Sequence, residues 1–184
     1  MTEYPKMVYG FHGCDIYVKE HILNGGHWRF SNNSYDWLGS GIYFWENDEK
    51  RAYEWAKMLS LQNDKIKEPA VIGAKIDLGR CLDITTLEGI EMVKDGYKYL
   101  QRYIKGAGIE MPKNKSAKND DEWKLRYLDR AVIETIHVHN VDKSFDTVRG
   151  AFTEGKKISP GAGFKDLTHI QIAVRNEAKI LEVF

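Results

Sequence analysis

Cysteine is scarce in this sequence: Cys14 and Cys81 are the only two among 184 residues. Two isolated cysteines exclude a disulfide framework and a cysteine-rich zinc motif. Both are most simply interpreted as small buried residues. The chain also lacks a charge excess, because 27 acidic side chains balance 27 basic ones. A balanced surface gives no global field that favours nucleic acid or an anionic membrane.

Long apolar runs are missing as well. No stretch approaches the roughly 20 residues needed to cross a bilayer, and the first residues lack the charged-then-apolar layout of a signal peptide. These absences predict a cytoplasmic protein with no membrane partner. The length suits one domain, and no internal repeat or second core is visible. We therefore expect a single domain over residues 1–184.

The spacing of apolar residues predicts short strands alternating with helices. Strands are expected at 6–13, 28–31, 42–45, 70–77, 81–84, 145–152, 170–174 and 180–184. Helices are expected at 15–23, 47–62 and 87–105, and from 121 through 136. This mixture of elements predicts an α+β fold.

Two glycine-containing segments stand out in the first 45 residues. The first strand ends at residues 11–13 (Phe-His-Gly), and residues 39–45 (Gly-Ser-Gly-Ile-Tyr-Phe-Trp) form a glycine turn followed by an aromatic strand. Glycines at 39 and 41 permit conformations or close approaches that a Cβ would block. Alternation along the strand places Tyr43 on the face opposite Phe44. One face can then join the core while the other lines a cleft.

These motifs, in this order and followed by residues 74–79 (Ala-Lys-Ile-Asp-Leu-Gly), resemble the ADP-ribosyltransferase superfamily. The resemblance is greatest to its diphtheria-toxin and poly(ADP-ribose) polymerase branch and spans most of the chain. It implies the ADP-ribosyltransferase fold, in which split mixed or antiparallel β-sheets form an NAD+ cleft. Residues about 88–142 look like a helical insertion of a subgroup, in a small stand-alone catalytic domain of bacterial type.

The resemblance also implies which residues contact NAD+. His12 falls on the family histidine, which hydrogen-bonds the adenosine ribose, and the backbone of Gly13 pairs with the nicotinamide amide. Glycine at 13 is expected to let the dinucleotide approach the backbone closely. Tyr43 falls on the family tyrosine, whose ring stacks on nicotinamide. Gly41 and Ser31 complete the predicted contacts, although the Ser31 hydroxyl alternatively satisfies its local backbone.

The third family position departs from the pattern. The family glutamate lies at the start of a late strand, and the register of residues 170–174 places Gln171 nearest to it. A glutamine can hold a ribose hydroxyl but supplies no charge and cannot act as a base. Glu154, in the preceding loop, is the candidate for the missing carboxylate, and His169 reaches the site if the register slips by two. The predicted catalytic set is thus Tyr43, Gln171 and Glu154.

The predicted function is NAD+-dependent mono-ADP-ribosyl transfer to a protein or a nucleic acid, without a metal. A compact stand-alone enzyme suggests an intracellular toxin or phage-defence effector, and an antitoxin protein as a partner, by analogy. Two alternatives stay open. One is a non-catalytic module that binds NAD or ADP-ribose. The other is an NAD-dependent RNA phosphotransferase on the same fold, which favours two arginines that are not seen near His12.

Overall fold

A computed structural model describes residues 7–62, 65–116, 124–139 and 144–184. That part of the chain contains seven β-strands and four α-helices. The strands are β1 (Met7–Asp15), β2 (Ile42–Glu46), β3 (Pro69–Asp77), β4 (Cys81–Asp83), β5 (Thr147–Phe152), β6 (His169–Val174) and β7 (Ile180–Val183). The helices are α1 (Ile16–Leu23), α2 (Glu49–Gln62), α3 (Leu87–Ala107) and α4 (Tyr127–His139).

All seven strands belong to one mixed sheet in the order β4-β5-β6-β2-β1-β3-β7. The β4–β5 pair is parallel and the other neighbours are antiparallel. The predicted α+β class is confirmed, but the sheet is continuous where the sequence predicts split sheets. Its weakest connection lies between β1 and β2. β1 pairs with β3 along nine residues, whereas only Gly10 and Phe11 pair with β2.

Helix ends follow the capping residues of the sequence. The Asp15 carboxylate accepts the Tyr17 N–H at 3.0 Å and so caps the start of α1. The Thr86 hydroxyl caps α3 in the same way, and α3 ends at Gly108, which has a φ of 66°. This left-handed conformation favours glycine. The predicted end of α3 at residues 106–108 is therefore confirmed.

Two predicted elements differ in the structure. Residues 28–31 do not form a strand, and only Ser31 makes a bridge, to Gly41. Trp28 instead packs on one face of the sheet, with its ring 5.3 Å from the ring of Phe44. Helix α4 begins at Tyr127, while residue 121, its predicted start, lies outside the described residues.

The helices divide between the two faces of the sheet. Helices α2 and α4 cover one face, where Ala52 packs near Trp45 and Val132 joins the cluster around Ala173. Helix α1 covers the other face through Ile22, beside the buried Cys14. Among the described residues, no helix combines the length and apolar character that crossing a membrane requires.

Candidate functional site

The site begins where β1 and β2 separate, immediately after the Phe11–Trp45 pair. The imidazole of His12 lies at this point, and its Nδ1 donates to the carbonyl of Tyr43 at 2.8 Å. In a continued antiparallel ladder that carbonyl would instead accept the N–H of Gly13, the residue opposite Tyr43. A side chain has therefore taken the place of the next ladder hydrogen bond.

The direction of the Gly13 backbone follows from the hydrogen bonds on either side of it. The Tyr9 carbonyl accepts the N–H of Asn47, just beyond β2, while the Ile16 N–H donates to Glu68, just before β3. Backbone groups alternate in direction along a strand. Residues 9, 11 and 13 therefore turn their N–H and C=O groups toward β2. Gly13 presents one donor and one acceptor beyond the end of the β1–β2 ladder.

The glycine at position 13 has a different cause from the one expected. A Cβ there would overlap the backbone carbonyl of Ala52 in helix α2. The Cα of Gly13 thus faces α2, and the close approach that requires glycine is that of a helix. The expectation that the missing Cβ makes room for a dinucleotide is not supported by this geometry.

The His12 ring is held in one protonation state. It is half-buried, at 5.4 Å from the ring of Trp28 and 5.8 Å from that of Phe44. Burial lowers its pKa despite the hydrogen bond to Tyr43. The imidazole is then neutral at physiological pH, with the proton on Nδ1 facing the Tyr43 carbonyl. Nε2 consequently carries a lone pair and acts as an acceptor.

The Tyr43 hydroxyl organises the glycine turn that precedes it. It donates to the Gly39 carbonyl at 2.7 Å and accepts the Leu38 N–H at 3.0 Å. Gly39 has a φ of 80°, which a residue with a side chain rarely adopts. Burial raises the pKa of Tyr43 well above its ordinary value. The hydroxyl is therefore protonated, and both of its hydrogen bonds lie within the turn.

His12 and Tyr43 meet through the backbone, and their side chains leave the sheet on opposite faces. Phe44 shares its face with His12, and Trp45 packs with Ala52 on the face toward α2. Tyr43 packs in the cluster toward α4. The predicted alternation along β2 is thus confirmed. A single molecule touching both side chains has to pass through the gap between β1 and β2.

An ion pair from distant parts of the chain anchors the same turn. Glu134 accepts the Ser40 N–H at 2.6 Å, and Arg175 donates to Glu134 at 2.9 and 3.0 Å and to the Ser40 carbonyl at 2.9 Å. Burial alone would raise the pKa of Glu134, but the hydrogen bonds from Arg175 and Ser40 hold it below its usual range. The turn before Tyr43 is therefore fixed on both sides.

Ser31 lies along the edge of β2 that faces β1, beyond the point where the pairing of β1 with β2 ends. Its backbone exchanges hydrogen bonds with Gly41 at 2.8 and 3.1 Å. Its hydroxyl donates to Asp36 at 2.8 Å, and Asp36 also accepts the Asn33 N–H at 2.7 Å. The hydroxyl thus bonds a side chain of its own loop, and not the local backbone that the sequence offered as the alternative to ribose binding. Gly41 lies beside the gap, and a Cβ on it would come within 3.0 Å of the Val174 carbonyl.

Gln171 lies on β6 opposite Trp45 and is 5% exposed. Its Oε1 accepts the indole N–H of Trp37 at 2.7 Å. An indole nitrogen only donates, so the amide oxygen must face Trp37 and the amide NH2 group points elsewhere. Trp37 in turn stacks on Phe152 with ring centroids 3.7 Å apart. Gln171 therefore has a fixed orientation that offers a hydrogen-bond donor.

Glu154 lies in a buried group of side chains that we call the Arg51 cluster: Arg51, Glu154, His169 and Trp45. Arg51 donates to Glu154 at 3.1 Å, and Nδ1 of His169 lies 3.8 Å from the same carboxylate oxygen. The guanidinium lies 5.7 Å from the Trp45 ring. His169 is two residues from Gln171 and shares its face of β6. His169 thus neighbours Gln171 without any slip in register.

Several nitrogens of the Arg51 cluster have no hydrogen-bond partner among the residues that the structure describes. Nε1 of Trp45, Nε of Arg51 and Nε2 of His169 are all buried and unpartnered. Buried polar atoms are nearly always hydrogen-bonded, so each exception calls for an explanation. The local sequence around Trp45, Arg51 or His169 does not predict this cluster. It depends on contacts between residues more than 100 positions apart.

Two further features lie apart from these residues. A shallow cavity of about 360 Å³ lies between α1, α2 and β3. Its lining consists of Lys19, Glu49, Lys50, Tyr53, Ala70 and Val71, none of them a predicted site residue. Within the described residues, no three His, Cys, Asp or Glu side chains are grouped so that they could hold a metal ion.

Comparisons with known proteins add no relative. No protein-family model matches the chain, and neither the curated proteins nor the solved structures give a match. An argument for function therefore depends on the motifs and on the geometry described above.

Proposed function

We propose that the protein is an NAD+-dependent mono-ADP-ribosyltransferase with the ADP-ribosyltransferase fold. The observation that carries the proposal is the gap between β1 and β2. There the His12 imidazole donates a hydrogen bond to the Tyr43 carbonyl, and the backbone of Gly13 directs one N–H and one C=O toward the gap. A primary carboxamide offers one carbonyl acceptor and two N–H donors. The nicotinamide amide therefore complements Gly13 with two hydrogen bonds.

The two ribose contacts also complement each other. His12 offers an acceptor at Nε2, because its Nδ1 proton is committed to Tyr43. Gln171 offers the donor of its amide, because its oxygen is committed to Trp37. A hydroxyl both donates and accepts. Each residue then suits a ribose hydroxyl of NAD+, His12 on the adenosine side and Gln171 beside nicotinamide.

The reaction breaks the bond between the ribose C1′ and the nicotinamide nitrogen. The electron pair leaves with nicotinamide, positive charge develops on the ribose, and the nucleophile of the acceptor then bonds to C1′. The Tyr43 ring stacks on nicotinamide and orients it for departure, and the turn fixed by Glu134 and Arg175 keeps that ring in place. Glu154 supplies the carboxylate on the acceptor side.

Gln171 limits the reaction that we propose. A neutral amide cannot remove a proton from a ribose hydroxyl, which polymer growth requires of the third position. Single transfer to a protein or nucleic acid acceptor fits the residues present. An intracellular toxin or phage-defence role, with an antitoxin partner, is the biological setting we propose by analogy.

The proposal is tested with NAD+ labelled in its adenine, incubated with the protein and cell extract. Transfer leaves label in macromolecules, and treatment with protease or nuclease then identifies the acceptor. Tyr43→Ala removes the stacking ring and is expected to abolish transfer. Tyr43→Phe keeps the ring and loses the bonds to residues 38 and 39, so it should retain partial activity.

A matched control is Tyr103→Ala, which removes an exposed tyrosine on α3 and should leave transfer unchanged. Full transfer by folded Tyr43→Ala would overturn the site assignment. NAD+ binding by calorimetry, with no nicotinamide release in any extract, would favour the non-catalytic module instead. In that event Gln171→Glu decides whether a carboxylate at this position restores turnover.

A further inference from the structure

Aromatic rings and cations alternate where helix α4 begins. Tyr127, the first residue of α4, has its ring 6.3 Å from that of Tyr35, and the Lys115 ammonium lies 5.8 Å from the Tyr127 centroid. The Arg126 guanidinium lies 5.1 Å from the centroid of Trp37. We call these five residues the Tyr127 surface: Tyr35, Trp37, Lys115, Arg126 and Tyr127. The proposed NAD+ contacts include none of them.

The fold fixes the backbone of Lys115 beside the start of α4. The backbones of Lys115 and Leu125 exchange hydrogen bonds at 2.9 and 3.1 Å. The neighbouring Asn114 accepts the N–H of Leu128, in the first turn of α4, at 2.9 Å through its side-chain oxygen. The segment that carries the lysine is therefore tied to the end of the helix, while the lysine side chain is exposed.

The Tyr127 surface is both ordered and accessible. Tyr35 is 40% exposed, Lys115 is exposed, and the other three members are half-buried. Asp129 accepts a hydrogen bond from Arg126 at 2.9 Å and so holds the guanidinium in place. Rings that are anchored and partly open suit a planar partner, which stacks on a ring without needing a deep pocket.

The charges of this region match an anionic partner. The described residues between 113 and 130 include five lysines and arginines and one carboxylate, that of Asp129. Arg130, one turn along α4, donates to Asn32 in the loop that carries Tyr35, and its buried Nε has no partner among the described residues. The chain as a whole is neutral, so this excess of positive charge is local. Phosphate groups bind to such an excess, and bases stack on rings beside it.

We propose that the Tyr127 surface binds the acceptor of the transfer reaction, and that this acceptor is a single-stranded nucleic acid. Its bases stack on the rings of Tyr35 and Tyr127, and its phosphates face Lys115 and Arg126. This inference rests on the proposed function for the transfer step, whereas binding of the strand requires no NAD+. It names the acceptor class, which the proposed function leaves open between a protein and a nucleic acid.

Single-stranded nucleic acid fits these side chains better than a duplex or a protein does. Aromatic rings stack only on bases that are unpaired and splayed out. The centre of a protein interface is depleted of charged residues, whereas here a cation lies over the ring of Tyr127 and another over that of Trp37. Stacking rings combined with cations are the features that proteins use to bind single strands.

The Tyr127 surface adjoins the proposed transfer site. Trp37 belongs to the surface and donates its indole N–H to Gln171, the proposed ribose contact, at 2.7 Å. Tyr35 lies two residues before Trp37 in the same loop. A nucleotide stacked on Tyr35 therefore has neighbours within reach of the ribose that Gln171 contacts. The acceptor nucleophile then bonds to C1′ as in the reaction proposed above, and no further reactant is needed.

The test is binding of a fluorescently labelled single strand of about 12 nucleotides, DNA in one arm and RNA in the other, measured by anisotropy without NAD+. Binding of either strand supports the proposal, and the tighter strand gives the sugar of the acceptor. Tyr35→Ala removes one stacking ring and should weaken binding about 5- to 140-fold. Tyr35→Phe keeps the ring and should bind like the wild type.

The matched control is Tyr99→Ala. Tyr99 is also an exposed tyrosine with a cation near its ring, since Arg102 lies 4.5 Å from the centroid. Its ring contacts His139, the last residue of α4, which lies roughly 18 Å along the helix from Tyr127. Removing Tyr99 should therefore leave the Kd for the strand unchanged.

Lys115→Gln tests the phosphate contact and keeps the test decisive if Tyr35→Ala does not fold. The logarithm of the binding constant of a single strand falls with the logarithm of the salt concentration, with a slope of about −0.7 for each phosphate contacted. Lys115→Gln should make that slope shallower by about 0.7. Lys57→Gln, which removes an exposed lysine on α2, should leave the slope at the wild-type value. An unchanged slope in Lys115→Gln would overturn the assignment of Lys115.

The outcomes separate the two proposals. Wild-type protein that binds neither strand, or an equal loss of affinity in Tyr35→Ala and Tyr99→Ala, overturns the Tyr127 surface and leaves the transferase standing. Label from NAD+ that protease removes and nuclease does not identifies a protein acceptor, and it also overturns the inference. Strands that bind at the Tyr127 surface, with no label transferred in any extract, overturn the transferase and leave the surface as a nucleic-acid site.

Discussion

Two arginine-centred clusters lie on opposite faces of the same part of the sheet, and they differ in how completely their nitrogens are used. Arg149 on β5 donates to Glu46 at 2.6 and 2.8 Å, to Asp83 at 3.0 Å and to Thr85 at 3.0 Å. We call these residues the Arg149 cluster. The Arg51 cluster has one such bond, from Arg51 to Glu154 at 3.1 Å.

The difference indicates two kinds of buried charge. The Arg149 cluster satisfies every guanidinium nitrogen, and Glu46 raises the pKa of Arg149 further above its already high ordinary value. A closed network of this kind fixes β2, β4 and β5 relative to one another. The Arg51 cluster leaves nitrogens unpartnered beside Gln171. Incomplete satisfaction beside a proposed ligand site is typical of function, because strained or unpaired groups persist there only when something else requires them.

The largest expected effect on stability is that of Arg149→Met. The substitution keeps most of the side-chain volume but leaves Glu46, which is 9% exposed at its side chain, without its cation. Removing one partner of a buried ion pair costs about 3–5 kcal/mol. We expect the free energy of unfolding, measured by urea titration, to decrease by about the smaller of these two amounts. NAD+ turnover per folded molecule should fall less than in Arg51→Met, because Arg149 bonds Glu46, Asp83 and Thr85, none of which is a proposed NAD+ contact.

We expect Arg51→Met to lower the free energy of unfolding less than Arg149→Met does, and to lower NAD+ turnover more. Glu154 is left without its cation as Glu46 is in the other variant, but one charged hydrogen bond is lost here and three are lost there. One such bond is worth about 1.5–3 kcal/mol, and part of that loss is recovered because the unpartnered Nε disappears with the guanidinium. Transfer of label from NAD+ should fall, since Glu154, the proposed carboxylate on the acceptor side, then lacks its partner. If Arg51→Met were as destabilising as Arg149→Met and left turnover at the wild-type rate, the Arg51 cluster would be structural like the Arg149 cluster, and the distinction between them would be wrong.

Local signals predicted much of the fold and part of the site. The alternation along residues 42–45 indicated opposite faces for Tyr43 and Phe44, and packing confirms it. Glycine at 108 marked the end of α3. Strand period and helix caps are properties of neighbouring residues, so a single sequence shows them. The predicted strand at 28–31 is wrong, and Trp28 instead packs on one face of the sheet.

The contacts that orient the site join distant positions and give no local signal. Trp37 meets Gln171 across 134 residues, and Arg51 meets Glu154 across 103. A strand pattern fixes which face a side chain occupies but not which distant side chain meets it there. The Ser31 hydroxyl shows the same limit: the sequence offered a ribose contact or a bond to the local backbone, and it did not indicate the bond to the Asp36 side chain.

Trp37→Phe tests a single hydrogen bond beside the Arg51 cluster, the one from Trp37 to Gln171. Phenylalanine retains the stack on Phe152 and loses the N–H that binds Gln171. One hydrogen bond contributes about 1 kcal/mol to stability, so thermal unfolding should shift only slightly. The KM for NAD+ should rise, because the Gln171 amide is no longer held with its NH2 toward the ligand.

The matched control is Trp55→Phe. Trp55 lies on α2, with its ring 5.4 Å from that of Trp45, and the hydrogen bonds of the described residues do not join it to Gln171. An unchanged KM in Trp37→Phe, or an equal rise in both variants, would show that Trp37 does not orient the amide.

Histidine protonation has the smallest expected effect on the free energy of unfolding, and it compares His169 in the Arg51 cluster with His137 on α4. Burial lowers the pKa of both His169 and His137 from the ordinary 6.5. The unfolded chain then binds protons before the folded one, so stability is lost as pH falls from about 6.5 through the lowered values. Wild-type unfolding free energy should decline between neutral pH and about pH 5, and less steeply in either His→Gln variant. At His169 the carboxylate of Glu154 opposes the shift and Arg51 reinforces it, and at His137 Glu134 opposes the shift and Arg175 reinforces it. Urea titrations across this range measure the slope, and a slope that stays at the wild-type value in both variants would show that burial does not hold these two histidines neutral.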